Sequence, residues 1–292
     1  MALLVHFIRT KIFEMILENQ GDINHMDKQL TPLHLVCANG HFKLVQFLLQ
    51  RVHKLGVDLD VKFGDLDGGM TAFQMACKNG HSKIAEMLGL KLVDLDIDLN
   101  YKTKEDETAF YLACANGHFN TVELLMQISA KLKLNLNDKD SHGMSCFGKA
   151  CAYGHSKIVD LFINKYVALN IVLNNWSGHT GFYRACKQGH IKVAELIIDN
   201  STLIGIDLNT KNVHDGEMTA FQIACKTGHS KIAEMLGLKL VDLNIDLNHK
   251  TMEGETAFYL ACANGDFDTV QMLVQKSARL KLDCPFPQFL SR

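Results

Sequence analysis

Apolar residues in this chain come in short phrases with helical spacing rather than in long runs. In "SKIAEMLGLKL", Ile84, Met87 and Leu88 fall at i, i+3 and i+4, the signature of one buried helix face. A shorter apolar phrase, "TAFQMACKNG", precedes it, opening on Thr71 and closing on Gly80. A hydroxyl residue before the apolar positions and a glycine after them are helix start and stop signals. Together the two phrases predict a helix, a turn and a second helix.

That unit recurs. Its opener is Thr31, Thr71, Thr108, Ser145, Thr180, Thr219 and Thr256, at intervals of 40, 37, 37, 35, 39 and 37 residues. Nine residues after each opener stands Gly40, Gly80, Gly117, Gly154, Gly189, Gly228 or Gly265. The string "TAFYLACANG" at 108–117 returns letter for letter at 256–265. Residues 70–134 align with 218–282 at a constant offset of 148, with 52 of 65 positions identical. Repeats two and three are therefore a block copied to become repeats six and seven, and repeats four and five are the divergent pair between them.

One helix pair cannot bury its apolar faces alone, whereas stacked pairs share a continuous core, so a period of this size signals a solenoid. "TPLHLVCANGHFKLVQFLL" (Thr31 to Leu49) resembles an ankyrin repeat, and the other units are similar, with Ala or Gly in place of Pro and Phe in place of Leu. The resemblance implies an all-α, ankyrin-type helix-turn-helix solenoid with hairpin loops. On that pattern residues 1–26 are a partial N-terminal repeat or cap, 27–283 seven repeats and 284–292 a C-terminal tail.

The family's period is about 33 residues, so the extra residues here predict longer second helices or larger loops. The family's histidine in "TPLH" is present only as His34; Gln74, Tyr111, Gly148, Tyr183, Gln222 and Tyr259 fill the later slots, and its hydrogen bond must be replaced or lost. A different histidine follows the glycine in the first six repeats, from His41 to His229, where a polar cap on the turn explains it. In the seventh repeat the residue is Asp266.

Composition narrows the chemistry. A hydrophobic content of 47% supplies a packed interior, and a net charge of −2 with scattered Lys and Arg leaves no basic stripe for nucleic acid or membrane. The opening "MALLVHFIRTKIF" has neither a basic leader nor a small-residue cleavage site and predicts a helix. The expected location is the cytoplasm, with the nucleus as the alternative.

Seven of the nine cysteines sit six residues after an opener, from Cys37 to Cys262. Neighbours in that column are one repeat apart, about 8–10 Å, beyond the ~7 Å limit for bridging. They read as a ladder of small core residues. "GMSCFGKA" (Gly143 to Ala150) approaches a phosphate loop but ends in Ala150, where a hydroxyl would hold magnesium, and it occupies a repeat opener rather than a strand end. "DLDIDLNYKTKE" (Asp94 to Glu105) spaces carboxylates like a calcium loop, but Leu99 takes the place of the turn glycine. No nucleophile and base can be assembled from residues that recur in every repeat. No enzyme activity, cofactor or metal is expected.

The resemblance also implies a protein partner on the concave face, built from hairpin tips and the exposed edge of each first helix. Its columns hold ordinary polar residues except in the middle of the chain. Tyr153 follows Ser145 by eight; Trp176, the only tryptophan, and His179 precede Thr180 by four and one; Tyr183, Arg184, Lys187 and Gln188 follow. Trp, Tyr and Arg dominate interface hot spots, so these seven residues are the candidate site, with Trp176 at a hairpin tip. Alternatively, Trp176 folds down onto a neighbouring hairpin and Tyr183 into the space between the helices, like Tyr111 and Tyr259. The expected protein is a scaffold or adaptor, monomeric unless exposed end repeats associate. The alternative role is substrate recruitment within an enzyme complex such as a ubiquitin ligase, or a fragment of a longer ankyrin protein.

Overall fold

The computed structural model describes residues 23–24, 30–63 and 69–283. The sequence-predicted N-terminal helix and the tail at 284–292 lie outside them. Two compact halves, residues 1–146 and 147–292, are described separately.

In the first half the helices are α1 (Pro32–Ala38), α2 (Phe42–Gln50), α3 (Val52–Leu55), α4 (Ala72–Lys78), α5 (Ser82–Asp94), α6 (Ala109–Ala115) and α7 (Phe119–Leu132). Strands β1 (Lys62–Phe63) and β2 (Met70–Thr71) pair antiparallel. Helix α8 (Cys146–Ala152) opens the second half, followed by α9 (Ser156–Lys165), α10 (Trp176–Gln188), α11 (Ile191–Ile204), α12 (Ala220–Lys226), α13 (Ser230–Asp242), α14 (Ala257–Asn264), α15 (Phe267–Gln275) and α16 (Ser277–Leu280). A 3₁₀ turn spans Val213–Asp215.

Within each half the helices form two layers. First helices pack on first helices (α1, α4, α6; then α10, α12, α14), and second helices on second helices (α2, α5, α7; then α9, α11, α13, α15). Between the layers run the phenylalanines two residues after the openers: Phe73, Phe110, Phe147, Phe182 and Phe221 are all buried. The extra residues of the long period lie mainly in the second helices, which reach 13 residues in α5 and α13 and 14 in α7 and α11.

The sequence signals act as chemistry requires at the helix ends. Thr31, Thr71, Thr108, Thr219 and Thr256 accept a hydrogen bond from the backbone N–H three residues on, the N-cap geometry. All seven turn glycines have φ between 74° and 77°, a conformation that disfavours a side chain.

The predicted polar cap at His81, His118, His190 and His229 is corrected by the structure. None of these side chains caps its own helix. Instead His81 Nε2 bonds the Ala38 carbonyl at 3.0 Å, His118 that of Lys78 at 2.8 Å, His190 that of Ala152 at 3.2 Å and His229 that of Lys187 at 3.1 Å. Each ring lies against the turn glycine of the preceding repeat, where a Cβ on Gly80 would sit 2.5 Å from His118. The histidine is a strut between repeats. Asp266, in the seventh repeat, does cap its helix, accepting from Thr269 N at 2.8 Å.

The hydrogen bond of His34 to the Val61 carbonyl (3.1 Å) is replaced in its copies by Gln74 to Tyr101 O (2.8 Å) and Gln222 to His249 O (2.7 Å). Six ladder cysteines are buried, and burial pushes their thiols up. The seventh, Cys262, is exposed, because no helix among the described residues packs over it.

Candidate functional site

Repeat five departs from the others at its start. Trp176 is the first residue of α10, so the expected hairpin tip is a helical turn, and Thr180 is buried inside the helix instead of capping it. The cause is local: Asn175, of a type favoured at helix starts, accepts the first i to i−4 bond from His179 N at 3.2 Å. The extension makes α10 13 residues long, against seven for α4, α6 and α12.

Spacings of three, four and four then put Trp176, His179, Tyr183 and Lys187 on one face of α10. That face meets the loop that follows α11. His179 Nδ1 lies 3.3 Å from the Asp207 carbonyl and 3.2 Å from the Thr210 hydroxyl, and Lys187 Nζ donates to Asp215 Oδ2 at 2.8 Å. The loop is held by its own turns: Asn209 N donates to Asp207 Oδ1, His214 N to Asn212 Oδ1, and Asn212 bridges to Met218. Between the two tethers lies an open groove of about 200 Å³. Trp176, His179 and Tyr183 line it from the helix, and Lys211, Val213 and His214 from the loop.

Tyr183 is buried, with 4% exposed, so it backs the groove rather than offering an independent surface. Its hydroxyl meets no partner at hydrogen-bonding geometry, although the Asp215 carboxylate is near. Burial, and then that carboxylate, push the phenol up. Burial is the largest influence on the Asp215 carboxyl and works to raise it, but the Lys187 ammonium, the nearby Tyr183 hydroxyl and Lys226 together hold the group below its ordinary value. Trp176 is 52% exposed and Val213 67%, giving the groove apolar lips.

Tyr153 is not part of the groove. It lies one residue beyond α8, 49% exposed, with Lys149 Nζ 5.1 Å from its ring centre. Arg184 and Gln188 are exposed on α10, and Gln188 Oε1 is 3.1 Å from the His190 ring. Of the seven candidates, the structure thus gathers Trp176, His179 and Tyr183 at the groove and Lys187 at its end. Lys211, Val213 and His214 were missed because they sit five to eight residues before Thr219, off the columns of the repeat pattern; the exposed valine in "NVHDG" was the available signal.

The calcium-like string folds into turns after the end of α5, and the phosphate-like string runs from a turn and a bridge into α8. Asp98 accepts from Asn100 N at 2.9 Å, and Ser145 pairs with Lys139 in a bridge. Among the described residues no group of three His, Cys, Asp or Glu side chains could hold a metal ion, and no helix is long and apolar enough to cross a membrane.

A helix-pair array with an open, partly apolar groove is the architecture of a protein-binding repeat module. The family model for ankyrin repeats (three copies) matches residues 4–97, 89–175, 128–212, 149–248 and 202–284, so the chain belongs to the ankyrin repeat family. Among solved structures, the human ASB11 ankyrin repeat domain is similar at 20% identity and a TM-score of 0.64, over 85% of this chain and 98% of that one. The ankyrin repeat domain of Bcl-3, a member of the IkappaB protein family, is similar at 17% identity and a TM-score of 0.62, over 85% of this chain and 99% of that one. No curated protein sequence matched. Ankyrin repeat domains generally mediate protein–protein interaction.

Proposed function

We propose that this chain is a non-catalytic adaptor that binds a protein partner across α10 and the loop 206–218. The observation that carries the reading is Trp176: a large ring left half exposed at the lip of a groove backed by the buried Tyr183. Such a ring gains by being covered, and Trp is the commonest anchor of interface hot spots. Arg184 and Gln188 on the exposed side of α10 supply polar contacts around it, and Tyr153 offers a second aromatic contact on α8. The partner side chain that fits is apolar, entering between Trp176 and Val213.

The test uses the full chain and its Trp176→Ala variant as quantified baits, with circular dichroism confirming equal helicity. Proteins held by the parent should be held at least ~10-fold more weakly by the variant, an effect of hot-spot size. Adding Tyr153→Ala should weaken them further. Because Trp176 is the only tryptophan, its emission should shift to the blue when a purified partner binds. Equal capture by a folded variant would remove the groove from the interface.

A further inference from the structure

Among the described cysteines, Cys146 alone stands outside the ladder. It follows the opener Ser145 directly, in a column that holds Ala72, Ala109, Ala220 and Ala257 in other repeats. That column faces the ladder of the preceding repeat. The contact is plainest one repeat further on, where a Cβ built on Gly181 would lie 3.1 Å from the Cβ of Cys151. Gly181 follows Thr180 as Cys146 follows Ser145, and Cys151 is the ladder residue of repeat four as Cys114 is of repeat three. Side chains in these two columns therefore meet at their first carbons, and a disulfide spans ~3.5–4.5 Å between such carbons.

Across repeats three and four both columns hold sulfur. Cys114 and Cys146 lie in the first half of the chain, both fully buried, with the Cys146 thiol beside that of Cys114. The segment leading to Cys146 is anchored over α6. The Tyr111 hydroxyl donates to Asp140 Oδ2 at 2.6 Å, Asp140 Oδ1 accepts from His142 N at 3.0 Å and Met144 N at 2.8 Å, and Leu136 and Met144 are buried. These contacts keep the two sulfurs facing each other. Burial also pushes the Cys114 thiol up, so the pair stays unreactive until the segment lifts.

We infer that Cys114 and Cys146 are a modification site, a dithiol that a hydroperoxide converts to a disulfide, fastening the segment 133–145 to α6. Cys146 reacts first, as the thiolate, because it rides on the segment that lifts. Its sulfur bonds one peroxide oxygen as the O–O bond breaks and the other oxygen leaves as water, giving a sulfenic acid. The Cys114 thiolate then attacks that sulfur; the S–S bond forms, the S–O bond breaks and a second water leaves. The two thiols lose two electrons, the peroxide is reduced to two waters, and both thiol protons end in them. Elsewhere the register sets Ala72 against Cys37, Ala109 against Cys77, Gly181 against Cys151, Ala220 against Cys186 and Ala257 against Cys225, so no second sulfur is in reach. No residue of the groove at α10 takes part.

The test treats the full, reduced chain with hydrogen peroxide, caps the remaining thiols by alkylation, digests without reductant and maps the peptides by mass. The Cys114–Cys146 link should exceed every other linkage made by either cysteine by at least ~10-fold, because ladder neighbours stand beyond bridging distance. The exposed Cys262 gauges the peroxide dose and should oxidise first. A second arm removes the wait for the fold to open. The chain is unfolded in urea, reduced and diluted into native buffer with reduced and oxidised glutathione, where exchange samples all pairings and the same link should dominate. The oxidised parent should unfold at higher urea than the reduced parent, and Cys146→Ala should show no such difference. Recovery of both cysteines as free thiols from both arms would overturn the inference, as would either one joined mainly to a different cysteine. So would a linked chain that unfolds at the same or lower urea, since the bond would then not fit the folded repeats.

Discussion

Residues 70–134 and 218–282 differ at 13 of 65 positions, yet their helices begin and end almost alike. Helices α5 and α13 have one sequence and one length, and Gln74 and Gln222 make the same capping box with their openers. What differs is the surroundings of the last helix pair. Helix α6 carries a buried tyrosine bonded to Asp140; α14 carries an exposed one and runs one residue longer, to Asn264. Local structure is therefore written within the repeat, while burial is set by the neighbour. Stability in such an array is a sum of repeat and interface terms, and the two copies share the first while differing in the second.

The sharpest way to break the equivalence is at the turn glycines. Gly80→Ala strains a positive φ and drives a methyl group into His118, whereas Gly265 has open space where its Cβ would point. The first should cost ~3 kcal/mol and the second ~1 kcal/mol, read by urea denaturation of each variant. The hydroxyls come next. Tyr111→Phe removes a donor from the buried Asp140 and should cost ~1–3 kcal/mol, while Tyr259→Phe should stay within ~0.5 kcal/mol. Equal losses at the two sites would show that Tyr259 is covered in solution. The smallest effect runs in the stabilising direction. Asp106 holds a φ of 59° where its counterpart is Gly254 at 80°, so Asp106→Gly should raise stability by up to ~1 kcal/mol, measured in the same titrations.

Much of this could be read from the sequence because it repeats. Seven openers and seven glycines overdetermine the helix ends, and the cysteine column disclosed its burial through its spacing. The failures have one physical cause, which is that an intra-repeat pattern does not say what lies across an interface. His81 looks like a local cap until the Ala38 carbonyl is found over it. Cys262 matches its column yet is exposed, since no helix among the described residues packs over it. Trp176 was placed on a hairpin because the other repeats have one there; a single Asn-led helical start in repeat five moved it onto a helix and produced the groove. Val213 and His214 became legible only when the loop folded back against that helix.

The histidine struts also bear on how such a chain can grow. Each joins two repeats through a backbone carbonyl and the turn glycine that every repeat carries, so beyond that glycine the contact asks nothing of its neighbour's side chains. His81 makes it with repeat one, and its copy His229 makes it with repeat five, although the residues on the receiving helices differ. A block cut at repeat boundaries can thus be set down beside an unrelated repeat and still find its connection. Duplication of this block required no compensating substitution at that joint, which leaves the side chains of the first helices free to diverge toward new partners.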